Sequence, residues 1–150
     1  MSFLVRKMTA TDVPAVAQLD RMSFTLPWPE RSFQFEVNAN PASRCYVAET
    51  DGQIVGAIVG WLLVDEMHIA TLATHPDFRQ QGIAQKLLAH TLRYTYDEGA
   101  ATSFLEVRES NQRAIQLYQA AGFNEIGLRK NYYPTANGKE NAVIMALMIF

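Results

Sequence analysis

The 150 residues, 49% of them hydrophobic, are the length of one domain with its own core, so residues 1–150 are expected to form a single domain. A net charge of −2 argues against a nucleic-acid footprint, and no apolar run approaches the ~20 residues of a membrane helix. One cysteine, three scattered histidines and charges as early as Arg6 and Lys7 argue against a disulfide, a metal site and a secretory leader, and place the protein in a reducing cytoplasm.

In chain order, Ser2 to Lys7 reads as a strand. Thr9, with Asp12 three residues on, marks a capped helix start, and Val13, Val16, Ala17 and Asp20 follow at helical spacing. The prolines of Leu26-Pro27-Trp28-Pro29-Glu30 break regular structure, and a short helix from Glu30 carries Phe33 and Val37 on one face. Arg44–Glu49 and Gln53–Val64 are strands joined at Asp51-Gly52, a hairpin signal, and another strand runs from Glu66 to Thr74. Cys45 in the first of these reads as core packing, and His75 before Pro76 as a loop residue. Gly82–Glu98 is a helix on Ile83, Leu87, Leu88 and Leu92 that stops before Gly99; its end, Asp97-Glu98, reads as solvated. Thr102–Arg108 is a strand, Asn111–Ala121 a helix stopped by Gly122, and Asn124–Arg129 and Ala142–Ile149 are strands around a polar connection, Thr135–Glu140. The order β-α-α-β-β-β-α-β-α-β-β predicts an α/β (α+β) fold, a mixed sheet with helices on both faces.

Three places carry chemistry. Arg79-Gln80-Gln81-Gly82-Ile83-Ala84 follows a strand and opens a helix, whose free N–H groups and positive dipole end offer a seat for phosphate. Glu106 shares a strand face with Phe104 and Arg108 in an otherwise apolar stretch, a setting that strengthens a carboxylate as a base; the alternative is a strand-end glutamate paired with Arg108 or Arg113. Tyr118 lies seven residues after Asn111, on the same helix face. Its phenol could give a proton to a thiolate, or simply pack beside Leu117 and Phe123. Asn111 itself suits the helix N-cap.

The segment Thr71–Ala84 resembles the acetyl-CoA pyrophosphate loop of the GNAT N-acetyltransferase superfamily, Arg/Gln-x-x-Gly-x-Gly/Ala. Phe104–Phe123 resembles its Glu-Val-Arg … Asn-x-x-Ala-x-x-Leu-Tyr-x-x-x-Gly-Phe signature. With Arg129–Pro134, Glu140–Leu147 and the more loosely matching Phe24–Glu30, the chain is similar to the ribosomal-protein-alanine N-acetyltransferases (RimI type). The resemblance implies a GNAT fold with a mostly antiparallel central sheet of about seven strands. It implies acetyl-CoA as acyl donor, Glu106 as general base and Tyr118 as proton donor to coenzyme A. Leu72, Ala73 and Thr74 would hold the pantetheine arm, with a backbone N–H there serving the oxyanion. Arg79, Gln80, Gln81, Gly82, Ile83, Ala84 and Gln85 would surround the pyrophosphate, with Lys86 nearby, and Asn111 and Tyr118 would also contact the cofactor. Gln80 and Gln81 depart from the basic residues common there, which shifts phosphate binding toward backbone donors. Trp28, Glu106, Tyr132 and Tyr133 would flank the acceptor; no metal is implied.

An α-amine, with a reference pKa near ~8, deprotonates far more easily than a lysine at ~10.4, which favours a protein N-terminus as acceptor. The expected partner is therefore a protein or peptide N-terminus, such as an Ala-starting small-subunit ribosomal protein, met by a monomer or weak dimer without nucleic acid or membrane. The alternatives are a lysine, polyamine or antibiotic acceptor, a non-catalytic acyl-CoA-binding module, or a purely structural protein.

Overall fold

A computed structural model of the chain describes residues 2–149. Its elements follow the predicted order. Strand β1 (Leu4–Lys7) leads through a single 3-10 turn into α1 (Val13–Ser23), and α2 (Glu30–Asn38) follows the proline break. The reciprocal arm of the predicted cap is present: the Thr9 N–H donates to Asp12 at 2.8 Å. Strands β2 (Ser43–Thr50) and β3 (Gln53–Leu63) are joined at Asp51 and Gly52, both with left-handed φ (50° and 77°), the geometry a two-residue hairpin turn demands. Then come β4 (Glu66–Thr74), α3 (Ile83–Asp97), β5 (Thr102–Arg108), α4 (Gln112–Ala120), β6 (Asn124–Thr135) and β7 (Gly138–Met148).

One element pair corrects the sequence reading. Thr135–Glu140 is not a polar connection: the strands pair through Pro134↔Lys139 to Thr135↔Gly138, and only Ala136 and Asn137 form the turn. Polar letters there mark an exposed hairpin whose two sides are long enough to project beyond the sheet, not a loop. Glu98 is also more than solvated surface, because Arg44 on β2 clasps both its oxygens at 2.9 Å.

The strands form one sheet in the order β1-β2-β3-β4-β5-β7-β6. Every neighbouring pair is antiparallel except β4 and β5. Alternation within the strands feeds two cores. One face packs Val13, Val16, Leu19 and Phe33 of α1 and α2 against Val47, Ala57 and Val59. The other packs Ile83, Leu87, Leu88, Ile115 and Tyr118 of α3 and α4 against Ile58, Met67 and Leu105. Cys45 lies in the first core, 7% exposed, and burial pushes its thiol up to about 11, so it is inert packing.

The positioning feature is where β4 and β5 separate. They pair only from Glu66↔Thr102 to Ile69↔Leu105. Beyond that, β4 slips in register against β3 between Val59 and Gly60, leaving Ala70 unpaired, while β5 stays paired with β7 through Arg108. A bulge bends its strand, and the two strands part.

Candidate active site

A cleft of about 870 Å³ opens beside this split. Leu72, Ala73 and Thr74 of β4 form one wall, and Asn111, Arg113, Ala114, Leu117 and Tyr118 of α4 another. Because β5 has left, the backbone groups of residues 70–74 on that side have no strand partner, an edge suited to an amide-rich chain. At the outer end stand Arg79, Gln80, Gly82, Ile83, Ala84 and Gln85. Gly82 is the N-cap of α3 at φ 82° and supplies no side-chain cap, so the first-turn N–H groups are free for an anion. Of the residues expected at this loop, Gln81 does not line the cleft. Lys86 turns away too, its ammonium 5.8 Å from the Phe3 ring centroid. Arg113 replaces it as a cleft cation, a residue that the sequence reading weighed only as a partner for Glu106. Ser23, the last residue of α1, also lines the cleft without any sequence signal for it, beside Phe24, the first residue of the loosely matching Phe24–Glu30 segment.

Tyr118 unites its two readings. Its ring packs edge-on against Phe123 at 5.7 Å, and it also lines the cleft. Burial, with a smaller effect of Tyr133, raises its pKa, so the phenol stays protonated at neutral pH. Asn111 caps α4 through its side-chain oxygen, which accepts from the Ala114 N–H at 3.2 Å, while facing the same cleft.

Glu106 sits just past Leu105, the last residue of β5 that pairs with β4, on the face of Phe104 and Arg108. Neither expected arginine pairs with it. Arg108 is taken by Glu140 at 3.0 Å and by the Pro134 carbonyl, and its guanidinium lies 4.6 Å from the Tyr133 ring. The cation beside Glu106 is Arg129, reached across the sheet from β6, with Nε 2.9 Å from Oε2. The setting is therefore less apolar than the strand's letters suggest. That Arg129 contact is a charge contact without an aligned N–H: Oε2 is shut from water and has no hydrogen-bond donor among the described residues. Tyr132 and Tyr133 stand on β6 nearby, with rings 5.0 Å apart and Arg129 over Tyr132 at 5.5 Å. Burial, then the charge of Glu106, pushes the Tyr133 phenol up to about 12.

Neither Glu106 nor Trp28 is among the residues that line the cleft. Trp28 lines a separate pocket with Glu36 and Trp61. Its loop is nonetheless tied to the split: buried Asp20 accepts from the Trp28 N–H at 2.7 Å and from the Thr71 hydroxyl at 3.2 Å. Asp20 entered the sequence reading only as a residue at helical spacing. His68 bonds Glu66 at 2.9 Å, and His75 accepts from the Asp77 N–H at its loop. Among the described residues, no group of three metal-ligating side chains converges and no helix is long and apolar enough to cross a membrane.

The model of the acetyltransferase (GNAT) family matches residues 13–123. The chain is 35% identical over 97% of both lengths to the [ribosomal protein bS18]-alanine N-acetyltransferase of Escherichia coli strain K12. It is 37% identical to the protein of that name from Haemophilus ducreyi, over 97% of this chain and all of that one. The crystal structure of the ribosomal-protein-S18-alanine N-acetyltransferase from Escherichia coli superposes with a TM-score of 0.91 at 34% identity, covering 99% of this chain and 94% of that one.

Proposed function

The chain belongs to the GNAT acetyltransferase family and is an acetyl-CoA-dependent N-acetyltransferase, and on that premise we propose that it acetylates the N-terminal α-amine of a ribosomal protein, with Glu106 as base and Tyr118 as acid. The observation that carries the assignment of the base is the buried Oε2 of Glu106 at the point where β4 and β5 part, which has no hydrogen-bond donor among the described residues. A buried acceptor left open in this way is available to an amine N–H. The relatives named for ribosomal protein bS18 support the acceptor class, as does the lower reference pKa of an α-amine, near ~8.

The cleft fits acetyl-CoA. The open N–H groups at Gly82–Gln85 suit its pyrophosphate, Arg79 and Arg113 add positive charge, and the free edge of Leu72–Thr74 suits its pantetheine amides. Bound there, it supplies an activated thioester carbonyl. Glu106 accepts the proton that the amine sheds as its nitrogen bonds to that carbonyl. Tyr118 provides a proton to the sulfur as the C–S bond breaks. A phenol held protonated by burial is a reluctant donor to a thiolate whose thiol has a reference pKa of ~8.5. Burial around Tyr118 disfavours a thiolate beside it as well, so placement of the hydroxyl at the sulfur, not intrinsic acidity, carries the transfer. One acetyltransferase domain over the whole chain is part of this reading.

Mass spectrometry of peptides incubated with protein and acetyl-CoA tests it. Peptides with a free Ala N-terminus should gain one acetyl group at the α-nitrogen, and the same peptides with a blocked N-terminus should gain none. Acetylation confined to lysine side chains would reject the acceptor.

A further inference from the structure

We propose that the pocket between α2 and β3 is a subsite for a basic side chain near the start of the acceptor chain, an inference that rests on the N-terminal acceptor proposed above. The pocket, of about 500 Å³, is lined by Trp28, Phe35, Glu36, Asn40 and Trp61, with Arg31 at its edge. The two indoles are nearly parallel, at 12°, with centroids 6.3 Å apart.

Glu36 gives the pocket its chemistry. It is 5% exposed, and its carboxylate accepts from Trp61 Nε1 and from Asn40 Nδ2. Both donors are neutral. Among the described residues no cation pairs with Glu36, and Arg31 makes no ion pair with any carboxylate. Neutral donors fill a carboxylate's lone pairs but leave its charge uncompensated, and charges this deeply buried are ordinarily paired. The faces of the indoles attract a cation as well. Carboxylate and aromatic faces together select an ammonium or guanidinium and disfavour an acidic group.

Topology puts this pocket within reach of the chemistry. Trp61 is the register partner of His68, His68 packs on Phe104 at 5.5 Å, and Phe104 shares its strand face with Glu106. Two interstrand steps of ~5 Å and one two-residue step along β5 separate Trp61 from the base, a path that roughly three or four extended residues span. The second to fourth residues of the acceptor are the ones whose side chains reach Glu36.

Steady-state kinetics on free-N-terminus peptides, with Lys, Arg, Gln or Glu placed in turn at positions two, three and four, tests the subsite. At one of these positions Lys and Arg should exceed Gln in kcat/KM by roughly tenfold, through KM, with Glu below Gln. Glu36→Gln should collapse that ratio toward one. A loss in Glu36→Gln shared equally by all peptides would make Glu36 a structural clamp and overturn the subsite. Absence of any basic preference in the unmodified protein overturns it too, even where the variant fails to fold, while leaving the acceptor reading intact. Failure to acetylate any free N-terminus overturns both.

Discussion

Glu106 keeps an open acceptor because Arg129 meets it by charge and not by an aligned N–H. Tyr118 keeps its proton because it is buried. Glu106→Gln removes the proposed proton acceptor while preserving shape, and kcat should fall by ~10²–10⁴-fold, the usual worth of a general base. Tyr118→Phe removes only a hydroxyl at the cleft wall, and its ring still packs on Phe123, so kcat should fall by roughly tenfold or more with little change in Tm. In both variants the affinity for acetyl-CoA, measured by calorimetry, should stay close to that of the unmodified protein. Full turnover in both would remove these roles and leave the fold untouched.

At the level of elements, the start of α3 presents its open backbone N–H groups at the proposed anion seat. Gly82 holds φ at 82°, and the turn carries no side-chain cap that would compete for the N–H groups. A β-branched residue there costs about 1–2 kcal/mol in left-handed strain and stands where the phosphates must approach. Gly82→Val should weaken acetyl-CoA binding by at least about tenfold in calorimetry while lowering Tm by only a few degrees. With Gln80 in place of a basic residue, the proposed phosphate seat leans on these backbone groups, and among the described residues Arg79 and Arg113 bring the charge to the cleft lining. The β6–β7 hairpin works differently. Its inward side is tied to β5 by Arg108, which holds Glu140 and the Pro134 carbonyl, and this keeps Tyr133 near Glu106.

Across the whole molecule, the helical layer is fastened to the sheet edge by charge. Arg6 on β1 makes two bonds of 2.8 Å to Asp12, before α1, and one of 2.8 Å to Glu49 on β2. The Arg6 hydrogen bond, ahead of the Thr9 N–H, holds the Asp12 carboxyl below its ordinary value. A carboxyl whose folded pKa is depressed stabilises the fold above its unfolded pKa, near ~4, and loses that contribution as pH falls through the folded value. Asp12→Asn should therefore lower Tm at pH 7 by about 5 °C. The gap to the unmodified protein should narrow in thermal melts as pH falls below the ordinary carboxyl range and through the depressed folded value of Asp12. A gap that persists unchanged in acid would assign the loss to packing.

Hydrophobic period, turn residues and caps lie within a few positions of one another in the chain, so the sequence alone determined the element order, the Asp51-Gly52 turn, the Asn111 cap and the segments that became the cleft walls. It determined as well that Glu106 and Tyr118 would be on strand and helix faces of a family-like pattern. What the tertiary structure decided is which distant groups meet: Arg129 and not Arg108 beside Glu106, Asp20 joining Trp28 to Thr71, and Glu36 beneath Trp61, 25 residues away. The same holds for Lys86 leaving the cleft to Arg113. Such pairings depend on sheet order, register slips at bulges and the length of a hairpin. These are set by the packing of the whole chain, and no local spacing records them.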